Sequence, residues 1–195
     1  MRRLVRFSLV AGATAAVIGG ALAAVPSSAA VGGGGCVLQG TAAFTNGPNT
    51  TDHNFTYSFS GTLDQCGDST SMSAGTLKGT ITAGRTYAGH VEPKPIGSGT
   101  CATGKTHGTS FVAWNDGKLT IVDYDTTSAT GAVSLTGTIR SSYTFADGTT
   151  VRTSRYAGDT SDGVLTFGAD PTQCAGSGVT SAPINGWVGI GDSSP

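Results

Sequence analysis

Past residue 25 this chain has no second long apolar run, no stretch of eleven or more residues with helical periodicity, and no basic cluster. The first absence leaves nothing to cross a bilayer as a helix. The second excludes an α-helical bundle. The third removes the electrostatic drive for binding nucleic acid or anionic lipid. Catalytic signatures are missing as well: there is no Gly-x-Ser-x-Gly elbow and no His-Glu-x-x-His, and the three histidines, His53, His90 and His107, are widely spaced. Only 12% of the residues are charged and 31 of 195 are glycine, a balance that taken alone would suggest disorder. Interleaved Val, Ile, Leu, Phe and Tyr argue otherwise, because they bury enough apolar surface to offset the entropy of ordering.

What the chain does have begins with its first thirty residues. Met1-Arg2-Arg3-Leu4-Val5-Arg6 forms a basic start, Phe7 to Val25 is apolar or small, and Ser28-Ala29-Ala30 is a small-residue cleavage site before Val31. This is the pattern of an export signal over 1–30, followed by one domain over 31–195. Eleven basic residues less the three leader arginines leave eight against twelve acidic ones, a net charge of about −4. The expected location is extracellular, where four cysteines read as two disulfides.

Strand patterning fills the mature chain. Phe55, Tyr57, Phe59 and Leu63 share one face of a strand over 54–63, and Val133, Leu135 and Ile139 share a face over 130–139. Asp116-Gly117 and Asp147-Gly148 each sit between strand-like runs and predict two-residue hairpin turns, with Trp114 facing Leu119 and Phe145 facing Thr150. Strands are expected near 37–45, 54–63, 75–83, 105–114, 118–126, 131–144, 150–157, 162–168 and 176–190. The fold class is therefore all-β, a single antiparallel β-barrel or β-sandwich of about nine strands. Glycines inside the strands favour the barrel. Pairing 37–45 with 54–63 so that residue 45 faces residue 54 brings Cys36 within reach of Cys66, which leaves Cys101 for Cys174.

The longest irregular stretch, Gly84 to Gly104, contains Tyr87, His90 and Glu92, and a connection of this length is a candidate binding loop. Trp114, beside its hairpin turn, is the aromatic expected to be exposed and able to stack on a flat ligand. Asp123 and Asp125 flank Tyr124 on one strand face and form the best carboxylate pair for glycoside hydrolysis, although a solvated strand end explains them more simply. His90, Glu92 and His107 are potential metal donors without ligand spacing, so neither metal nor cofactor is expected.

The stretch from Tyr156-Ala157-Gly158-Asp159 through Gly163-Val164-Leu165-Thr166-Phe167 to Cys174-Ala175-Gly176-Ser177-Gly178-Val179-Thr180, with the leader and the Ala/Gly/Thr/Ser-rich body, resembles small secreted all-β proteins of high-GC Gram-positive bacteria. The resemblance spans most of the mature chain and carries no motif with assigned chemistry. Secreted antitumour chromoproteins of the same bacteria, β-sandwiches with two disulfides, are similar in composition alone, and their ligand is not carried over.

The sequence thus points to a secreted binding protein for an extracellular small molecule, glycan or protein, with no nucleic acid and no membrane after signal cleavage. A small hydrolase using Asp123 and Asp125, or a structural protein of the cell envelope, stands as the alternative.

Overall fold

Alternation of large apolar with small polar residues lets each strand bury one face, and the strands here curl until the first meets its neighbours on both sides. A computed structural model describes residues 34–68 and 72–192; the export signal expected over 1–30 lies outside the described residues. The strands are β1 (Gly34–Thr45), β2 (His53–Asp68), β3 (Met72–Ala83), β4 (Thr86–Tyr87), β5 (His90–Val91), β6 (Ile96–Gly99), β7 (Thr103–Trp114), β8 (Leu119–Ala129), β9 (Ala132–Arg140), β10 (Ser142–Thr144), β11 (Thr150–Arg152), β12 (Thr160–Phe167) and β13 (Ser181–Asp192). One short helix, α1 (Pro171–Ala175), precedes β13.

Eight strands close an antiparallel barrel in the order β1-β13-β12-β9-β8-β7-β3-β2, and β2 pairs back onto β1. The ninth strand, β6, shares a slot with β3. β3 pairs with β7 over Gly79–Thr82, whereas β6 bridges β2 at His53–Thr56 to β7 at Gly104–His107. Between these two half-strands the chain leaves the wall, makes the excursion 84–95, and returns. Tyr57 N–H donates to the Pro95 carbonyl at 3.2 Å, and buried Pro95 plugs the break.

Both expected faces form: Phe55, Tyr57, Phe59 and Leu63 point inward, as do Val133, Leu135 and Ile139. Both disulfides form with the expected pairing, Cys36–Cys66 and Cys101–Cys174. The β1–β2 register differs from expectation by two residues, with Thr45 facing Thr56. A shift of two preserves every side-chain direction, and a bulge between Leu63 and Cys66 brings Cys66 to Cys36.

The two Asp-Gly turns require a larger correction. Each is a three-residue loop. Trp114 N–H donates to the Lys118 carbonyl and Phe145 N–H to the Thr149 carbonyl, while Gly117 and Gly148 adopt φ of 80° and 85°. The left-handed glycine completes a type I turn with a bulge, which inserts one residue more than a two-residue turn. Ala113 therefore faces Leu119, and Thr144 faces Thr150. In β8 this sends Leu119 and Ile121 outward beside Phe111, and brings Thr120, Val122 and Tyr124 inward beside Val112 and Trp114.

The outward apolar residues do not meet water. The β4–β5 hairpin and the β10–β11 hairpin fold over them, forming a second core of Phe111, Leu119, Ile121 and Phe145 with Tyr87, Tyr143 and Val151 against it. The strand expected over 150–157 is short β11 of this external hairpin, and the stretch 84–104 holds β4, β5 and β6.

Replacing Gly117 or Gly148 with alanine forces a Cβ into a left-handed conformation and is expected to cost about 1–2 kcal/mol each, read as a lower urea midpoint at unchanged m-value; no shift at either position would contradict the bulged loops. Removing Cys101–Cys174 by the double serine substitution, which opens a separation of 73 residues, is expected to cost roughly 4–5 kcal/mol, against roughly 3–4 for Cys36–Cys66. Differential scanning calorimetry would rank the two.

Candidate functional site in the barrel interior

The barrel is filled at one end and hollow at the other. Leu63, Leu77, Val112 and the Cys36–Cys66 bridge are fully enclosed, whereas Phe44, Leu135, Phe167 and Ile184 point inward yet stay only half-buried. Between them lies a cavity of about 140 Å³ lined largely by aliphatic and aromatic side chains from β1, β2, β9, β12 and β13. Native interiors leave few voids larger than a water molecule. This one is close in size to an engineered cavity that admits benzene.

One wall is different. Strands β7 and β8 supply Thr106, Ser110, Tyr124, Thr126 and Ser128 to the lining, opposite the hydrocarbon side. Tyr124 and Tyr57 hydroxyls meet at 2.8 Å, Tyr57 meets Thr106 at 3.1 Å, and Thr106 meets Thr126 at 2.7 Å, giving a continuous chain of four hydroxyls. Burial pushes both tyrosines above the ordinary phenol range, Tyr124 well above it, where the neighbouring Tyr57 and Glu92 add to the effect. Both are therefore neutral donors and acceptors in the physiological range. On β12, Ser161 is 4% exposed, lines the same cavity, and its hydroxyl has no hydrogen-bond partner.

The closed end is a polar-aromatic floor. Trp114 Nε1 donates to Thr120 Oγ1 at 2.8 Å, and Thr120 donates on to the Arg155 carbonyl at 3.0 Å. The buried Arg155 guanidinium lies over the rings of Trp114 and Tyr156 and donates to Asp116 at 2.5 Å. Burial alone would raise the Asp116 carboxyl. The Arg155 hydrogen bond, the Lys118 N–H and the two cationic charges outweigh it and hold Asp116 below the usual carboxylate range.

The hollow end is rimmed by crosslinked loops. Cys101 N–H donates to the Asn49 carbonyl, Val179 N–H to that of Pro48, and Phe44 N–H to that of Thr180. The Cys101–Cys174 bridge joins these segments to α1, whose first turn is capped by Asp170. Phe44 packs edge-on against Phe55 and Phe167, with ring centroids 5.8 Å apart in each pair, just inside this rim.

Most residues singled out by sequence lie elsewhere. Trp114 is 4% exposed and forms the floor, so its expected role as an exposed platform is corrected; it shares the inward face of β7 with Val112. The exposed tryptophan is Trp187, at 57%, on the outer face of β13. Tyr87 stacks on Phe111 outside the barrel, and His90 stacks on Phe145 while pairing with Asp147 at 2.6 Å. Glu92, the only glutamate in the chain, is buried and accepts from Thr82 Oγ1 at 2.5 Å and Arg85 N–H at 2.9 Å, closing the 84–95 excursion on itself.

Asp123 and Asp125 both point outward. Asp123 accepts from Thr109 and Arg140, and Asp125 pairs with His107 at 3.0 Å on an exposed surface. They face solvent with basic partners, not each other across a cleft. His90, Glu92 and His107 are each engaged separately, and no group of three potential metal ligands converges among the described residues. The cavity hydroxyls were missed because Thr106, Thr126 and Ser161 look like any solvent-facing strand residue until the register is known.

Fold and site together define a class: a closed antiparallel β-barrel, capped at one end and hollow at the other, with a mixed apolar and hydroxylic interior. Compared with protein-family models, curated proteins and solved structures, the chain finds no match.

Because the folded pKa of Asp116 is depressed, its contribution to stability is present above its unfolded value and is lost as pH falls through the folded one. Asp116→Asn is therefore expected to lower stability at neutral pH and to flatten the acid limb of stability below about pH 4. Urea unfolding from pH 2 to 7 reads both effects; an unchanged acid limb would remove the Arg155–Asp116 pair from the floor's energetics.

Proposed function

We propose that this protein is an exported, non-enzymatic binding protein that holds a small, mainly apolar molecule inside its barrel. One observation carries the reading: a cavity of about 140 Å³ among Phe44, Tyr57, Val133, Leu135, Leu165 and Ile184, at the hollow end of a wall stapled at its rim. Concave, mostly apolar sites with a few placed polar groups are the usual form of small-molecule sites. The size restricts the occupant to a compact ring or short chain. The two disulfides suit an oxidising compartment outside the cytoplasm, consistent with the leader-like start. A rigid rim and a closed floor favour capture through the hollow end, with the phenylalanines Phe44, Phe55 and Phe167 as its lining.

Toluene is a suitable first probe. At ten times its dissociation constant it is expected to add about 1.4 kcal/mol, raising the melting temperature by roughly 3–6 °C. Leu135→Trp fills the cavity and is expected to abolish that shift. A toluene effect that survives Leu135→Trp would place binding outside the barrel.

A further inference from the structure

We propose that the cavity selects uncharged molecules that join a compact apolar body to one hydrogen-bonding oxygen, as in a phenol, a short alcohol or a ketone, with Ser161 as the residue that receives the oxygen. The inference rests on the barrel interior being the ligand site and names the chemistry that site prefers.

The first argument is Ser161 itself. Its hydroxyl is buried, lines the cavity and has no partner, and a buried hydroxyl left unbonded destabilises the fold. Nothing in the fold needs an oxygen there. Ser161 occupies an inward position in β12, between Gly137 of β9 and Ile190 of β13, where alanine would serve the wall equally well. Gly137, its partner in β9, is required by close approach, since a Cβ there would come 2.7 Å from the Asp123 carbonyl oxygen and 2.6 Å from the Ser161 hydroxyl.

The second argument is a proton count. Four hydroxyls, those of Tyr124, Tyr57, Thr106 and Thr126, carry four protons, and three hydrogen bonds consume three of them. One O–H remains to be given to an acceptor on the hydroxylic wall, where Tyr57 and Tyr124 are buried and Thr106 and Thr126 are half-buried. The interior therefore offers hydrogen-bonding capacity at two points.

The third argument concerns charge. No lysine, arginine, histidine, aspartate or glutamate lines the cavity, and Glu92 lies near enough to Tyr124 to act on it electrostatically. An anion brought inside would lose its hydration without gaining a cation, and would feel a carboxylate beyond the wall. A cation would find neutral hydroxyls alone. A plain hydrocarbon would leave Ser161 unpaired. An uncharged oxygen on an apolar body answers all three conditions.

Isothermal titration of the full, disulfide-bonded protein with toluene, p-cresol and benzoate at pH 7 tests this. We expect p-cresol to bind at least tenfold more tightly than toluene and benzoate to give no measurable heat. Ser161→Ala should cut the p-cresol preference to a few-fold, leave toluene unchanged, and melt at or above the temperature of the parent protein, since it removes an unpaired hydroxyl. A serine serving the fold alone would do the opposite: lower the melting temperature and leave the preference intact. Equal binding of toluene and p-cresol, tightest binding of benzoate, or a preference untouched by Ser161→Ala would overturn the inference while leaving a barrel ligand in place. Failure of all three compounds to bind would overturn both.

Discussion

Pairing of β1 with β13 on one side and β2 on the other closes the wall, and every other feature of the molecule is arranged around that closure. An open sheet of these strands would leave two edges of unpaired backbone groups, each a template for association. Closure spends those groups internally and forces alternate side chains into a common interior. The interruption of the wall between β3 and β6 is repaired by the returning chain, with buried Pro95 at the break and a Tyr57–Pro95 hydrogen bond across it.

Strands β7 and β8 carry a double burden. A single extra residue in their connecting loop decides which side chains of β8 join the inward face of β7, and the result sorts them by chemistry. Their outward residues Phe111, Leu119 and Ile121 form an apolar patch that needs a cover, which the two excursions from the barrel provide. Their inward residues supply Trp114 to the floor and hydroxyls to the cavity wall. The external hairpins are thus a consequence of the register, and His90 with Asp147 helps to hold them together.

The same sorting gives the cavity its character. A barrel built for stability alone would fill its interior with interlocking aliphatic side chains and leave no unpaired hydroxyl. This one is packed in that way near Leu63, Leu77 and Trp114, but not between Phe44 and Ser161. The departure is confined to one end, beneath a rim crosslinked by Cys101–Cys174 and buttressed by backbone hydrogen bonds to the 46–52 loop. Local underpacking beneath a reinforced rim is a reason to look for function there and not among the charged residues outside.

The all-β class and the inward faces of β2 and β9 were legible in the alternation of residues, and the preferred disulfide pairing, one of three open to four cysteines, tolerated the two-residue register shift and formed. The sequence also marked the two glycine turns, but not their length. Whether a loop holds two residues or three depends on the left-handed glycine and its bulge, and a one-residue difference exchanges the faces of a strand. The solvated setting of Asp123 and Asp125 was legible in the strand end, but their basic partners, the place of Trp114 in the floor, and the meeting of Tyr57, Tyr124, Thr106, Thr126 and Ser161 around one cavity come from the closed ring. Those residues lie far apart in the chain, and it is the closure of the ring that makes them neighbours.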